Sequence, residues 1–136
     1  MFINQSLNEH LKSLLEKDNK IILLGEDIHS PYGGAFKVTR NLSNLYPDRV
    51  ITTPISEAGI IGTSIGLSMV GYKPIVEIMF GDFLLLAADQ IINHLSKFYF
   101  LHNELRPSHI VIRTPMGGGR GYGPTHSQSL EKHFMG

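Results

Sequence analysis

In the stretch TTPISEAGIIGTSIGLSMVG a single acid, Glu57, precedes an uncharged run over residues 58–72. A lone carboxyl at the mouth of an apolar segment is either a functional group or an ordinary first-turn acid favoured by the helix dipole; the residues alone leave both readings open. Two other positions carry side chains able to do chemistry. His126 lies in the glycine-rich GYGPTHSQS, and histidine is the residue type whose charge switches near neutral pH, which suits a proton donor or a carboxylate partner. A solitary loop histidine is also compatible with plain solvation. Glu26, in LLGED, stands just past an apolar run, at the edge where open parallel sheets place ligands, although an acid after a strand is also common turn chemistry. The run GGGRGYG suggests a phosphate cradle, but no helix follows it in register and no Lys-Ser/Thr closes it; it reads instead as an active-site loop. The other six histidines show neither metal spacing nor acid–base pairing, and no metal-ligand set is expected.

Alternating elements must position these residues. Ile3, Leu7, Leu11, Leu14 and Leu15 recur at helical spacing, and KIILLG follows as a short buried strand of the parallel kind. After the turn-rich EDIHSPYGGAF come a short helix around 37–45, closed by Pro47, and a strand RVITT ending before Pro54. The next helix spans roughly 56–70, with Ser56 or Thr53 as its cap and Gly71 as its stop. KPIVEIMF reads as a third strand, DFLLLAADQIINHLSKFYFL as one long helix and SHIVIRTP as a fourth strand. Such alternation predicts an α/β fold, a parallel sheet covered on both faces. Within the 56–70 helix, Gly59, Gly62 and Gly66 fall on nearly one face. Each costs roughly 1 kcal/mol against alanine, which points to close approach of another backbone, expected here to be another chain.

Composition narrows the function classes. The 136 residues, 42% hydrophobic and 18% charged, suffice for one domain with a real core. Twelve basic residues balance twelve acidic ones without a Lys/Arg block, so the charge footprint of nucleic-acid binding is missing, as is a polybasic membrane patch. There is no cysteine, hence no disulfide framework, and no uncharged stretch is long enough to span a bilayer. These features predict a soluble, cytoplasmic chain.

The string E-AGII-G-TSI-G resembles the acid-then-glycine motif of the pyrimidine-binding domain in thiamine-diphosphate enzymes. With LLGEDI, GGAFKVTRNL, RVITTPISEAGIIG, KPIVEIMFGDF, AADQIINHLSK and GPTHSQSLE in that order, the chain resembles the beta subunit of the 2-oxoacid dehydrogenase decarboxylating component, the group of the pyruvate, branched-chain and acetoin dehydrogenases. The resemblance implies a transketolase-like three-layer sandwich, with residues 1–136 as the pyrimidine-binding domain. Family members continue with a C-terminal transketolase-type domain, which is absent from this chain. It further implies thiamine diphosphate as cofactor. Glu57 would bond the pyrimidine nitrogen and favour the imino tautomer, making the exocyclic amine a base, and the cofactor would serve as electron sink when the 2-oxo acid loses carbon dioxide.

By the same resemblance Met79 and Phe83, which on residues alone are ordinary core at a strand end, pack on the aminopyrimidine. His126 faces the substrate and the incoming lipoyl group, and Glu26 belongs to an acidic network between active sites. Ile110 matches a main-chain position of a potassium site whose other ligands lie past Gly136. The Gly-Asp-Gly signature that holds Mg²⁺ and the diphosphate has no match here; FGDF is not it. The implied partners are an alpha subunit carrying that signature, the lipoyl domain of the acyltransferase component, and a second copy through the Gly59/Gly62/Gly66 helix, with the chain inactive without the alpha subunit. Two other readings stay open: another transketolase-like half-enzyme, such as the deoxyxylulose-phosphate synthase type, and a non-catalytic dimerising module of the same fold.

Overall fold

A computed structural model describes residues 2–102 and 109–135. Its centre is a four-stranded, all-parallel sheet in the order β2-β1-β3-β4, formed by β1 (Ile21–Glu26), β2 (Val50–Thr53), β3 (Lys73–Glu77) and β4 (Val111–Arg113). The helices are α1 (Ile3–Lys17), α2 (Leu42–Leu45), α3 (Glu57–Met69) and α4 (Phe98–Leu101).

Every residue of β1 is buried, because the strand has a neighbour on each side and helices over both faces. Its side chains alternate between two cores. Ile22 and Leu24 meet Ile60, Ile61 and Ile65 of α3 together with Val76, Ile78 and Leu84. Ile21 and Leu23 meet Leu11 and Leu15 of α1 together with Leu42, Val50 and Ile75. This is the three-layer α/β arrangement predicted from the alternating apolar runs. Gly25 is required at the sheet centre: a Cβ there would stand 2.7 Å from the Glu77 carbonyl oxygen and 3.1 Å from Ile28 Cγ2.

The stop of α3 matches expectation. Gly71 takes φ 93°, its N–H donates to the Ser68 carbonyl at 3.0 Å and the Tyr72 N–H reaches back to Leu67 at 3.0 Å, the paired bonds of a Schellman cap. Its start does not: neither Ser56 nor Thr53 caps it through a side chain.

Four further expectations need correction. Ile3 of the α1 stripe is exposed, and the helix turns only Leu11, Leu14 and Leu15 to the core. The predicted 37–45 helix shrinks to α2, because Lys37 (φ 61°) and Asn41 (φ 66°) are left-handed, a conformation no right-handed helix accepts. That segment is held open by α1, whose Asn8 side chain donates to the Val38 and Arg40 carbonyls at 2.7 and 3.0 Å. The third strand ends at Glu77 rather than Phe80, although Ile78 still donates to the carbonyl of Arg113 at the end of β4 and Gly81 to that of Pro115 just past it. The single long helix after it is broken into a 3₁₀ segment (Gly81–Ala87), a π-helical segment (Gln90–Leu95) and α4. The wide turns show in the Ser96 N–H bonding the Ile91 carbonyl at 3.0 Å. The predicted fourth strand begins at Ser108, outside the described residues, and its paired part is β4 alone.

Candidate functional site

The residues singled out from the sequence come from the carboxyl ends of all four strands. Glu26 ends β1. Glu57 opens α3 directly after β2. Met79 and Phe83 follow β3, and His126 follows the glycine-rich segment after β4. A parallel sheet delivers all its strand ends to one edge, which is why such edges carry ligand sites.

Glu26 and Glu57 form a buried acid pair, 4% and 6% exposed. Each is within electrostatic reach of the other, and Glu26 Oε1 is buried without a polar partner. Burial, then the charge of Glu57, push the Glu26 carboxyl up to about 7, against the pull of the Ser56 N–H and with a smaller push from Asp27. A third carboxylate, Glu77, lies in the neighbouring strand β3, ion-paired with Arg113. Burial drives the Glu77 carboxyl upward and Arg113 offsets only part of that.

The second cluster is aromatic. The His126 imidazole meets Phe80 edge-on at 4.9 Å between ring centroids and Phe83 at 5.2 Å. Phe80 also meets Tyr122 at 5.4 Å and Phe36 at 6.1 Å. Beside His126, Asp82 Oδ1 accepts from the side chain and main chain of Gln128 at 2.9 and 3.2 Å. Burial alone would raise the Asp82 carboxyl, but those bonds, its own N–H and the nearby His126 hold it below the usual carboxylate range. Phe83 and Met79 are half-buried, and the segment bearing Phe83 packs on α3, the helix that Glu57 opens.

Phe83 and His126 are thus brought together in one cluster, and Glu26 with Glu57 in another. Ile110 lies just before β4 and packs against the core on the α3 face. Among the described residues no group of three or more His, Asp or Glu side chains could hold a metal ion, and no helix is long and apolar enough to cross a membrane. An apolar cleft of about 690 Å³, lined by Leu84, Ile91, Ile112, Met116 and Phe134 among others, touches neither Glu26 nor Glu57.

Sequence reasoning missed Phe36, Phe80, Asp82, Arg120, Tyr122 and Gln128. For Asp82 the only signal was FGDF, set aside because it is not a diphosphate signature. For Arg120 it was the one cation in a glycine-rich loop.

With this geometry the class is clear. The model of the transketolase pyrimidine-binding domain matches residues 2–135, and the chain belongs to that family. Within it, the likeness is to the E1 beta type of the 2-oxoacid dehydrogenases. The chain is 42% identical over 131 residues to the pyruvate dehydrogenase E1 component subunit beta of Leifsonia xyli subsp. xyli (strain CTCB07), covering 96% of this chain and 39% of that protein. It is 42% identical over 127 residues to the mitochondrial subunit beta of Homo sapiens, covering 93% of this chain and 35% of that one. The chain therefore spans well under half the length of the curated relatives it matches. A split gene transketolase, solved as an inactive beta4 tetramer, shares the fold at TM-score 0.57 and 20% identity, over 90% of this chain and 35% of that one.

Proposed function

We propose that the chain is the pyrimidine-binding part of a 2-oxoacid dehydrogenase beta subunit and supplies the glutamate that activates thiamine diphosphate for oxidative decarboxylation and acyl transfer to a lipoyl group. The observation that carries this reading is the burial of Glu57, 6% exposed, at the first turn of α3 beside an equally buried Glu26. An acid serving only the helix dipole gains nothing from burial next to a second carboxylate, since both desolvation and like charge oppose it.

The residues present fit the aminopyrimidine half of the cofactor. Glu26 has a buried oxygen without a partner, Glu57 caps the same edge, and half-buried Met79 and Phe83 offer the apolar, partly aromatic surface that a flat ring requires. When bound, the cofactor supplies the electron sink that decarboxylation needs. Glu57 would hold or share a proton at the ring nitrogen, Met79 and Phe83 would orient the ring, and His126, seated on Phe80 and Phe83, would face the substrate. Mg²⁺ and the diphosphate fall to a partner alpha subunit, without which this chain is inactive. The compartment proposed for the chain is the cytoplasm.

The test is Glu57→Gln in a complex reconstituted with an alpha subunit. The amide preserves size and can still hydrogen-bond a ring nitrogen, so fold and much of the cofactor affinity should persist. Exchange of the proton on the cofactor's reactive carbon should slow by about 10²- to 10⁴-fold, the usual range for an acid–base group. Normal exchange with a lowered melting temperature would return Glu57 to a purely structural role.

A further inference from the structure

We propose that Arg120 is a positioning residue for His126, fixing where the histidine stands by tying its main chain to the start of the glycine-rich loop. The proposal rests on the reading of His126 as the group that faces substrate. Gly117, Gly119, Gly121 and Gly123 all have positive φ, between 76° and 90°, a left-handed backbone that glycine adopts freely. A loop of that composition has little stiffness of its own. Arg120, in its middle, donates through Nη2 to the Gly117 carbonyl at 2.6 Å and to the His126 carbonyl at 2.9 Å. One nitrogen thus joins the beginning of the loop to the residue that has to be placed.

The guanidinium is held in turn by rings. Its central carbon lies 5.3 Å from the Phe36 centroid, 5.6 Å from Phe80 and 5.9 Å from Tyr122, within cation–π range of the first two and at its limit for the third. Among the described residues, Nε and Nη1 are buried with no polar partner. Leaving charged donors unpaired is unfavourable, so this arrangement is a poor choice for stability alone and a sensible one for holding a shape. Phe80 is common to both groups: the cation approaches it at 5.6 Å and the imidazole edge packs on it at 4.9 Å. Arg120 therefore sets the His126 main chain while Phe80 and Phe83 set its ring. A lysine has no flat guanidinium face for the rings to hold while its nitrogen bonds the two carbonyls.

Two readouts test this. In the chain itself, NMR reports the His126 imidazole protons, which feel the ring currents of Phe80 and Phe83. In R120K and R120Q these resonances should move toward those of a solvated histidine, with far-UV circular dichroism unchanged. In the complex reconstituted with an alpha subunit, R120K should lower kcat on the order of tenfold to a hundredfold, as expected for misplacement of a reacting group. It should lower it no further when added to H126A. Unmoved imidazole resonances in both variants, or losses that multiply in the double variant, would overturn the proposal. If H126A keeps full turnover while R120K still shifts the resonances, the positioning stands and the functional reading of His126 falls.

Discussion

Glu26 couples the candidate site to stability. Its carboxyl sits at about 7 in the folded chain against 4.5 ordinarily, through burial first and Glu57 second. A raised value means the folded state holds a proton that the unfolded state has released. The contribution is therefore fully present below about pH 4.5 and is lost as pH rises through about 7. Glu26→Gln, which cannot ionise, should flatten that part of the profile and gain on the order of 1 to 3 kcal/mol over the parent at pH 8, with little difference at pH 4. Urea unfolding of both proteins at the two pH values measures it; parallel profiles would show that Glu26 is not the group titrating. Comparing the pair also cancels Glu77, whose carboxyl is raised by burial in the same direction. At this scale the acids were legible as candidates, because an isolated charge in an apolar setting stands out. Their proximity was not, since 31 positions and a whole strand separate Glu26 from Glu57 and only the parallel pairing of β1 with β2 brings the two ends level.

Among elements, β1 and β3 pair Gly25 with Glu77, and the absent side chain of Gly25 leaves room for the Glu77 carbonyl oxygen, 2.7 Å from where a Cβ would be. Gly25→Ala should cost about 1 to 3 kcal/mol, the usual range for overpacking, and displace Glu77 relative to Arg113. A chemical melt gives the first, and an unchanged midpoint would contradict it. The strands and the end of α3 could be read from sequence because each depends on local signals: apolar runs between turn residues, and a glycine at the helix stop. Lys37 and Asn41 could not, since their left-handed backbone answers to Asn8 and the ring of Tyr32, with Lys37 Nζ 3.8 Å from that ring's centre. The broken helix after β3 escaped for a related reason. Its apolar spacing suits a regular α-helix, and it is tertiary packing, of both segments on α3 and of the first also on the turn Pro124–His126, that tightens one end and widens the next.

On the scale of the whole molecule, the glycines of α3 do not face another backbone within the described residues. A Cβ at Gly59 would meet Ser56 Oγ, one at Gly62 would meet the Gln90 side chain at 3.4 Å, and one at Gly66 would meet nothing within 4 Å. Met69 and Val70 continue that open surface at 59% and 69% exposure. If it is where a second copy or the alpha subunit docks, Gly66→Leu is the sharpest probe, because a Cβ there meets nothing within 4 Å among the described residues and the substitution gains helix propensity of roughly 0.8 to 1 kcal/mol. Melting temperature should hold or rise while the associated species on a sizing column declines; unchanged elution would show that the interface lies elsewhere. The sheet order has a further consequence, for biosynthesis. The central strand β1 is the first of the four to be translated, and its partners β2 and β3 begin only at Val50 and Lys73. The nascent chain therefore carries Ile21, Ile22, Leu23 and Leu24 as a β-prone strand with one edge unpaired until the residues from Lys73 onward have emerged from the ribosome. Chaperone demand, and aggregation when synthesis pauses, should centre on that tetrad.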